Sequence, residues 1–193
     1  MFTILFSANA QQSKENVLPY HSIPDYPADY TPGNVVSRLI DGLGYRYYWV
    51  TEGLREEDLQ FAPSEEVRTT FETLQHIYSL SETIVNAPQS IPNIRPQDIS
   101  GMSFEELRAG TLNNIKKASE LFLGKTSAEI DNMKVIFQGK ERVSEYPFWN
   151  MINGPIADAI YHAGQVVSFR RSSGNPLHPG VSVFRGKTRE QED

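Results

Sequence analysis

The chain of 193 residues contains no cysteine, which excludes disulfide bonds, thiolate metal ligands and a cysteine nucleophile. Any thiol chemistry would therefore need a thiol supplied from outside the chain. No apolar run approaches the roughly 18 residues that a membrane-spanning helix needs. Basic residues are outnumbered, at 18 Lys and Arg against 24 Asp and Glu, giving a net charge of −6. This balance disfavours nucleic acid and anionic membrane surfaces as partners.

The first 33 residues are expected to form an extended arm, because prolines recur between residues 19 and 32 without helical or strand periodicity. Residues 1–10 begin with a short apolar run and end in Ser-Ala-Asn-Ala, a pattern that signal peptidase accepts, although no Lys or Arg precedes it. A signal-peptide remnant and an ordinary N-terminus therefore both stay open. The protein is therefore expected either in the cytoplasm or, after export, in the periplasm.

Apolar residues recur at steps of three and four in four later stretches, which predicts four amphipathic helices. The first covers residues 34–54. The second starts from Pro-Ser-Glu-Glu at residues 63–66 and ends near residue 86. The third opens with the capping box Ser103-Phe-Glu-Glu106 and stops at Gly124. The last extends over residues 147–172, and Gly154-Pro155 is expected to kink it near its start.

The expected fold class is all-α, with the helices forming a four-helix bundle. A small β-hairpin is expected around residues 135–143, before the last helix. The chain then divides into an arm at residues 1–33, a bundle at residues 34–176 and a C-terminal tail at residues 177–193. Functional groups of bundles lie on the facing sides of neighbouring helices, so polar residues at such positions are the candidates.

The last helix is very poor in charge. Between Tyr146 and Phe169 the only formally charged side chain is Asp158, and His162 follows it four residues later. Such a helix is expected to be buried over most of its circumference, where an isolated carboxylate is costly unless it is hydrogen-bonded or bound to a cation. The spacing places both side chains on one face, where they can chelate one ion or form a local ion pair. Gln165 extends that face as a hydrogen-bonding partner.

A third ligand would decide between these two interpretations. Of the four histidines, His76 is the one that lies inside another predicted helix, at the edge of its apolar stripe. Glu72, one turn earlier, is a candidate general base or an outer hydrogen-bonding residue. Arg171, with its neighbour Arg170, is a candidate for holding an anionic part of a substrate or for complementing the helix dipole.

These residues resemble the DinB-like (YfiT-like) family of metal-dependent enzymes. Leu74-Gln75-His76-Ile77 is similar to the family pattern in the second helix. His162-Ala-Gly-Gln165, followed by the two arginines and by Gly174-Asn-Pro176, is similar to its pattern in the last helix. The resemblance covers residues 34–176. It implies a divalent metal ion, either zinc, nickel or iron, held by His76, Asp158 and His162.

Asp158 departs from the family pattern, which has a histidine at that position. The implied ligand set is therefore two histidines and one carboxylate, which keeps coordination positions open for water or substrate. The carboxylate lowers the charge of the site by one unit and should make bound water less acidic than in a three-histidine site. Alternatively, the chain is a member that has lost its metal, with Asp158 and His162 left as a hydrogen-bonded pair.

The known activities of the family imply a thiol-dependent transferase, acting on a small-molecule substrate with a low-molecular-weight thiol. A metal ion lowers the pKa of a bound thiol and presents it to an electrophile. The second version of this function is a hydrolase that uses metal-activated water. The opposing hypothesis is a non-catalytic, dimeric helical bundle with a binding or stress-related role. A homodimer is expected in either case, from the apolar helix faces and the resemblance.

Overall fold

The structure, a computed structural model, describes residues 17–189 and is mostly helical, as the sequence predicts. Its long helices are α1 (Pro32–Thr51), α3 (Thr70–Asn86), α4 (Phe104–Phe122) and α7 (Ala157–Ser172), and α2 (Glu56–Leu59), α5 (Ser127–Asp131) and α6 (Trp149–Met151) are short. Helices α1 and α3 each pack against both α4 and α7. The core is formed by their facing apolar residues, among them Leu43, Leu74, Ile115 and Val166.

Two of the long helices begin at capping boxes. Ser103 accepts a hydrogen bond from the backbone N–H of Glu106, as the sequence predicts for α4. Helix α3 begins later than predicted, because its N-cap is Thr69, whose side chain accepts from the backbone N–H of Glu72. The expected helix start at residues 63–66 is therefore wrong, and these residues form turns and bends that precede the helix.

The all-α expectation is incomplete, because short strands are also present. Strands β1 (Asn93–Ile94), β2 (Lys134–Gln138) and β3 (Val143–Pro147) form a sheet in the order β1-β2-β3. The antiparallel pair of β2 and β3 is the expected hairpin. Strands β4 (Val181–Ser182) and β5 (Lys187–Thr188) pair with each other, and two-residue strands such as these are too short to leave a periodic pattern in a sequence.

The predicted last helix is divided. After α6, a π-helical segment (Ile152–Ile156) leads into α7, and Gly154 has the non-helical dihedral angles φ −95° and ψ −107°, so the expected kink is present. The burial predicted for this helix is wrong. Only a narrow stripe of α7 is buried, and the side chain of Asp158 is 40% exposed. Its low charge therefore does not reflect burial.

The described part of the arm, residues 17–31, lies along α1. Tyr20 is buried there, and its hydroxyl donates a hydrogen bond of 2.9 Å to Asp41. Its ring packs on Gly44, where an added Cβ would lie 2.5 Å from the ring. The signal-peptide interpretation of residues 1–10 and the end of the tail lie outside the described residues, and the division into arm, bundle and tail stays a prediction.

Within residues 17–189, none of the helices combines the length and apolar character needed to cross a membrane.

Candidate metal centre

Three side chains from α3 and α7 converge at the contact between these helices. His76 lies in the middle of α3, and Asp158 and His162 lie one turn apart near the start of α7, so one face of α7 meets the edge of the apolar stripe of α3. One potential ligand atom from each residue lies within 4.8 Å of the other two. The structure therefore brings together the three residues that the sequence singles out as metal ligands.

The carboxylate of Asp158 lies between the two imidazoles. Its Oδ2 is 3.1 Å from Nε2 of His76, and its Oδ1 is 3.3 Å from Nε2 of His162. The imidazole rings meet edge to face, with centroids 4.6 Å apart. Side-chain exposure is 40% for Asp158, 30% for His76 and 12% for His162. The group is thus open to solvent on one side, and a small molecule can reach it.

Gln165 fixes the orientation of His162. Its Oε1 lies 2.6 Å from Nδ1 of His162, and an amide oxygen can only accept, so Nδ1 carries the proton. In the neutral imidazole, Nε2 then presents its lone pair towards Asp158. Two acceptors facing each other are satisfied by a second proton on the ring or by a cation. This tautomer, held by an outer hydrogen bond, is the one that metal-binding histidines use, so the donor set fits a divalent cation.

The electrostatic surroundings favour a neutral imidazole at His76. Partial burial lowers its pKa below the ordinary value, and His162 and Arg68 lower it further, whereas the hydrogen bond to Asp158 raises it. A neutral histidine is the form that binds metal. Arg68, which precedes α3, is a positively charged neighbour of the site that sequence analysis missed. No periodicity or spacing in the sequence points to it.

The other two predicted site residues are placed elsewhere. The carboxylate of Glu72 accepts hydrogen bonds from the backbone N–H and the hydroxyl of Thr69, at 2.8 and 3.1 Å. It therefore closes the capping box of α3, and its candidate roles as a general base or an outer hydrogen-bonding residue stay predictions. Arg171 is exposed at the end of α7, and its contact with an anionic group stays a prediction.

Arg170, the neighbour of Arg171, is only 4% exposed and joins α7 to the end of α1. It donates to the backbone carbonyls of Trp49, Val50 and Glu52, at 2.8 to 3.2 Å. These carbonyls lack partners inside α1 because the helix ends there. Arg170 also donates to Asn175, whose amide donates to Asp58.

Asp58 is the acidic member of this second cluster. Arg55 donates to both of its carboxylate oxygens at 2.9 Å, and Ser173 and Asn175 donate to it as well. The hydrogen bonds from Arg55, followed by those from Ser173 and Asn175, hold the pKa of Asp58 well below its usual range despite its burial. The cluster fixes the end of α7 against α1 and α2, and this sets the position of the metal-centre face of α7.

Comparison with known proteins identifies the fold. No protein-family model matches the chain, and no curated protein matches it. Among solved structures, it is similar to the crystal structure of a DinB-like protein (YjoA) from Bacillus subtilis, with a TM-score of 0.56 and 12% sequence identity. The match covers 79% of this chain and 99% of that chain. The resemblance noted in the sequence is thereby confirmed at the level of structure, and the chain has the fold of a DinB-like protein.

Proposed function

We propose that this chain is a metal-dependent enzyme of the DinB-like family, with its four long helices forming the family's four-helix bundle. One divalent cation would be held by His76, Asp158 and His162. The observation that carries the proposal is the convergence of these three side chains, with a ligand atom from each within 4.8 Å of the others. Nitrogen and carboxylate ligands in this ratio suit zinc, nickel or ferrous iron.

The protonation states of the site support this proposal. Gln165 accepts from Nδ1 of His162 and leaves Nε2 available. Burial keeps the pKa of His76 low, so that its ring is neutral at neutral pH. Asp158 supplies one negative charge, which offsets part of the charge of a divalent cation. Each residue would thus offer one ligand atom to the same small volume, and the proton through which Nε2 of His76 donates to Asp158 would pass to Nδ1 or to solvent when the ion binds.

The reaction we infer is transfer of a low-molecular-weight thiol to an electrophilic small molecule. A divalent cation at this site would lower the pKa of a bound thiol or water. Hydrolysis would also need a general base, and the candidate, Glu72, is engaged in the cap of α3. A thiol has an ordinary pKa about 7 units below that of water, so it loses its proton to solvent more readily on a metal ion, and this favours thiol transfer over hydrolysis. The thiol must be external, because the chain contains no cysteine.

The residues around the centre have assigned tasks in this proposal. His76 and His162 bind the ion through Nε2, Asp158 binds it through a carboxylate oxygen, and Gln165 holds the ring of His162 in place. The exposed side of the centre admits the substrate. Arg68, whose positive charge already affects the pKa of His76, would attract an anionic group on the thiol or the electrophile.

The test combines metal loading with an activity assay. Chelator-treated protein is reloaded with zinc, nickel or ferrous iron and supplied with a thiol and a chromogenic electrophile, or with a chromogenic ester and no thiol. We expect metal-dependent loss of the thiol in the first assay, which His76→Ala abolishes and Glu72→Gln leaves unchanged. Metal-dependent ester cleavage alone would favour the hydrolase. Absence of metal binding would refute the proposal, and a metal-free protein that is dimeric in solution would support the non-catalytic alternative.

A further inference from the structure

A cavity lies on the opposite side of α7 from the metal centre. Its volume is about 260 Å³, and it is bounded by α1, by α7 and by residues 177–183. Ile160, Gly164 and Val167 line it, and at 100° per residue these positions lie about half a turn away from Asp158 and His162. The cavity is therefore separate from the proposed catalytic site.

The space in the cavity is linked to Gly164. The backbone there is α-helical, and a Cβ added at this glycine would meet no atom within 4 Å. Alanine is the better helix former at such a position, so packing and local conformation do not account for the glycine. Because Gly164 has no side chain, no atoms of this residue project from α7 into the space, and the cavity between α1 and α7 stays open there.

One polar group stands out on an otherwise apolar wall. Arg46 lines the cavity, is partly buried, and uses one of its N–H groups to donate to the carbonyl of Gly42 at 2.9 Å. Within residues 17–189 no carboxylate lies within 4.0 Å of its guanidinium. The indole N–H of Trp49, on the same wall, is already bonded to the carbonyl of His21. Arg46 is thus the charged residue that lines this wall, and its N–H groups other than the one bonded to Gly42 have no hydrogen-bond partner among the described residues.

We propose that this cavity binds a small organic monoanion, a carboxylic acid with an apolar body, whose carboxylate pairs with Arg46. The apolar wall suits a hydrocarbon body, and the guanidinium suits a carboxylate. The volume limits the size, because a cavity of roughly 150 Å³ holds benzene, so this one holds about ten non-hydrogen atoms. Octanoate has that size and serves as the probe, and octan-1-ol serves as its uncharged counterpart.

Trp49 provides the measurement, because it lines the cavity. The chain has two tryptophans, and Trp149, which lies on another surface and is 75% exposed, is first replaced by phenylalanine. Titration with octanoate is expected to change the emission of Trp49 in a saturable manner. Octanoate should bind about tenfold or more tightly than octan-1-ol, the difference expected for a hydrogen bond to a charged group. Equal binding of the two, or no saturable change with octanoate, would overturn the proposal.

Two pairs of variants locate the ligand. Arg46→Met should weaken octanoate binding about tenfold and leave octan-1-ol binding unchanged, whereas Arg142→Met, at an exposed position outside the cavity, should change neither. Gly164→Leu should abolish binding by filling the space, whereas Gly164→Ala should reduce it far less. Circular dichroism establishes that each variant is folded. Full binding by folded Arg46→Met would overturn the assignment of the anion to this residue.

The experiment also separates this cavity from the metal centre, which could itself take up a carboxylate. Binding is measured with chelator-treated protein, with zinc-loaded protein and with His76→Ala. We expect the same affinity in all three, because the cavity shares no residue with the metal centre. Loss of binding on chelation or in His76→Ala would place octanoate at the metal and overturn the proposal, whatever the outcome for the enzyme activity.

Discussion

Replacement of Arg170 by methionine tests how the end of α7 is fixed. Methionine keeps most of the apolar side chain of Arg170, a residue that is 4% exposed, but removes the guanidinium, which donates to three carbonyls at the end of α1. It also removes the two hydrogen bonds to Asn175. The positive charge lies where the dipole of α1 is negative, so its loss removes a favourable electrostatic interaction as well.

The size of the expected destabilisation follows from the groups that lose a hydrogen-bonding partner. Each buried carbonyl left without a hydrogen bond costs about 1–3 kcal/mol, and relaxation and entering water recover part of this. Asp58, two hydrogen bonds away, would lose a compensating positive charge. We therefore expect the free energy of unfolding to fall by about 3–5 kcal/mol, the range found when one partner of a buried charged network is removed.

Urea denaturation at pH 7 measures this change, and Arg171→Met is the matched control. Arg171 is exposed, so its replacement should change the free energy of unfolding by no more than about 0.5 kcal/mol. The midpoint for Arg170→Met should shift with little change in the m-value. If Arg170→Met and Arg171→Met were equally stable, the guanidinium would not hold the two helices together, and the reasoning would be refuted.

Three further outcomes are expected. The pKa of Asp58 is depressed in the folded state by Arg55, so its stabilisation is present above about pH 4 and is lost as the pH falls; Asp58→Asn should flatten this part of a stability-versus-pH curve. Gly164→Ala should raise the melting temperature, whereas Gly44→Ala should lower it, because the first Cβ enters open space and the second meets the tyrosine ring of the arm. Gln165→Leu should weaken zinc binding about 10- to 100-fold in a competition titration, while the fold is retained.

The helices were predictable because their apolar periodicity and their caps are local. The box at Ser103–Glu106 and the kink at Gly154-Pro155 both depend on residues adjacent in sequence. The start of α3 was misplaced because Pro-Ser-Glu-Glu at residues 63–66 has the composition of a helix start, while Thr69 and Glu72 form the cap that is used. Strand β1 depends on a partner, β2, that is distant in sequence, and no local pattern marks it, whereas the hairpin of β2 and β3 is local and was predicted.

Part of the candidate site was predictable, because three of its residues are also close to one another in the sequence. Asp158, His162 and Gln165 share one helix face, and their spacing alone indicates that they lie together. The approach of His76 depends on how α3 and α7 pack, and periodicity placed it only at the edge of a stripe. Arg68 comes from a non-helical segment, so helical spacing does not predict that its charge lowers the pKa of His76. The cavity beside Gly164 likewise depends on the C-terminal segment folding over two helices.

Calorimetric titration of the chelator-treated chain with zinc tests the central claim most directly. We expect one site per chain, with at least about 100-fold weaker binding in His76→Ala and unchanged binding in Glu72→Gln, because the first variant loses a ligand and the second changes only the cap of α3. No zinc binding, or equal binding by the chain and its His76→Ala variant, would show that the two imidazoles and the carboxylate form only a hydrogen-bonded cluster.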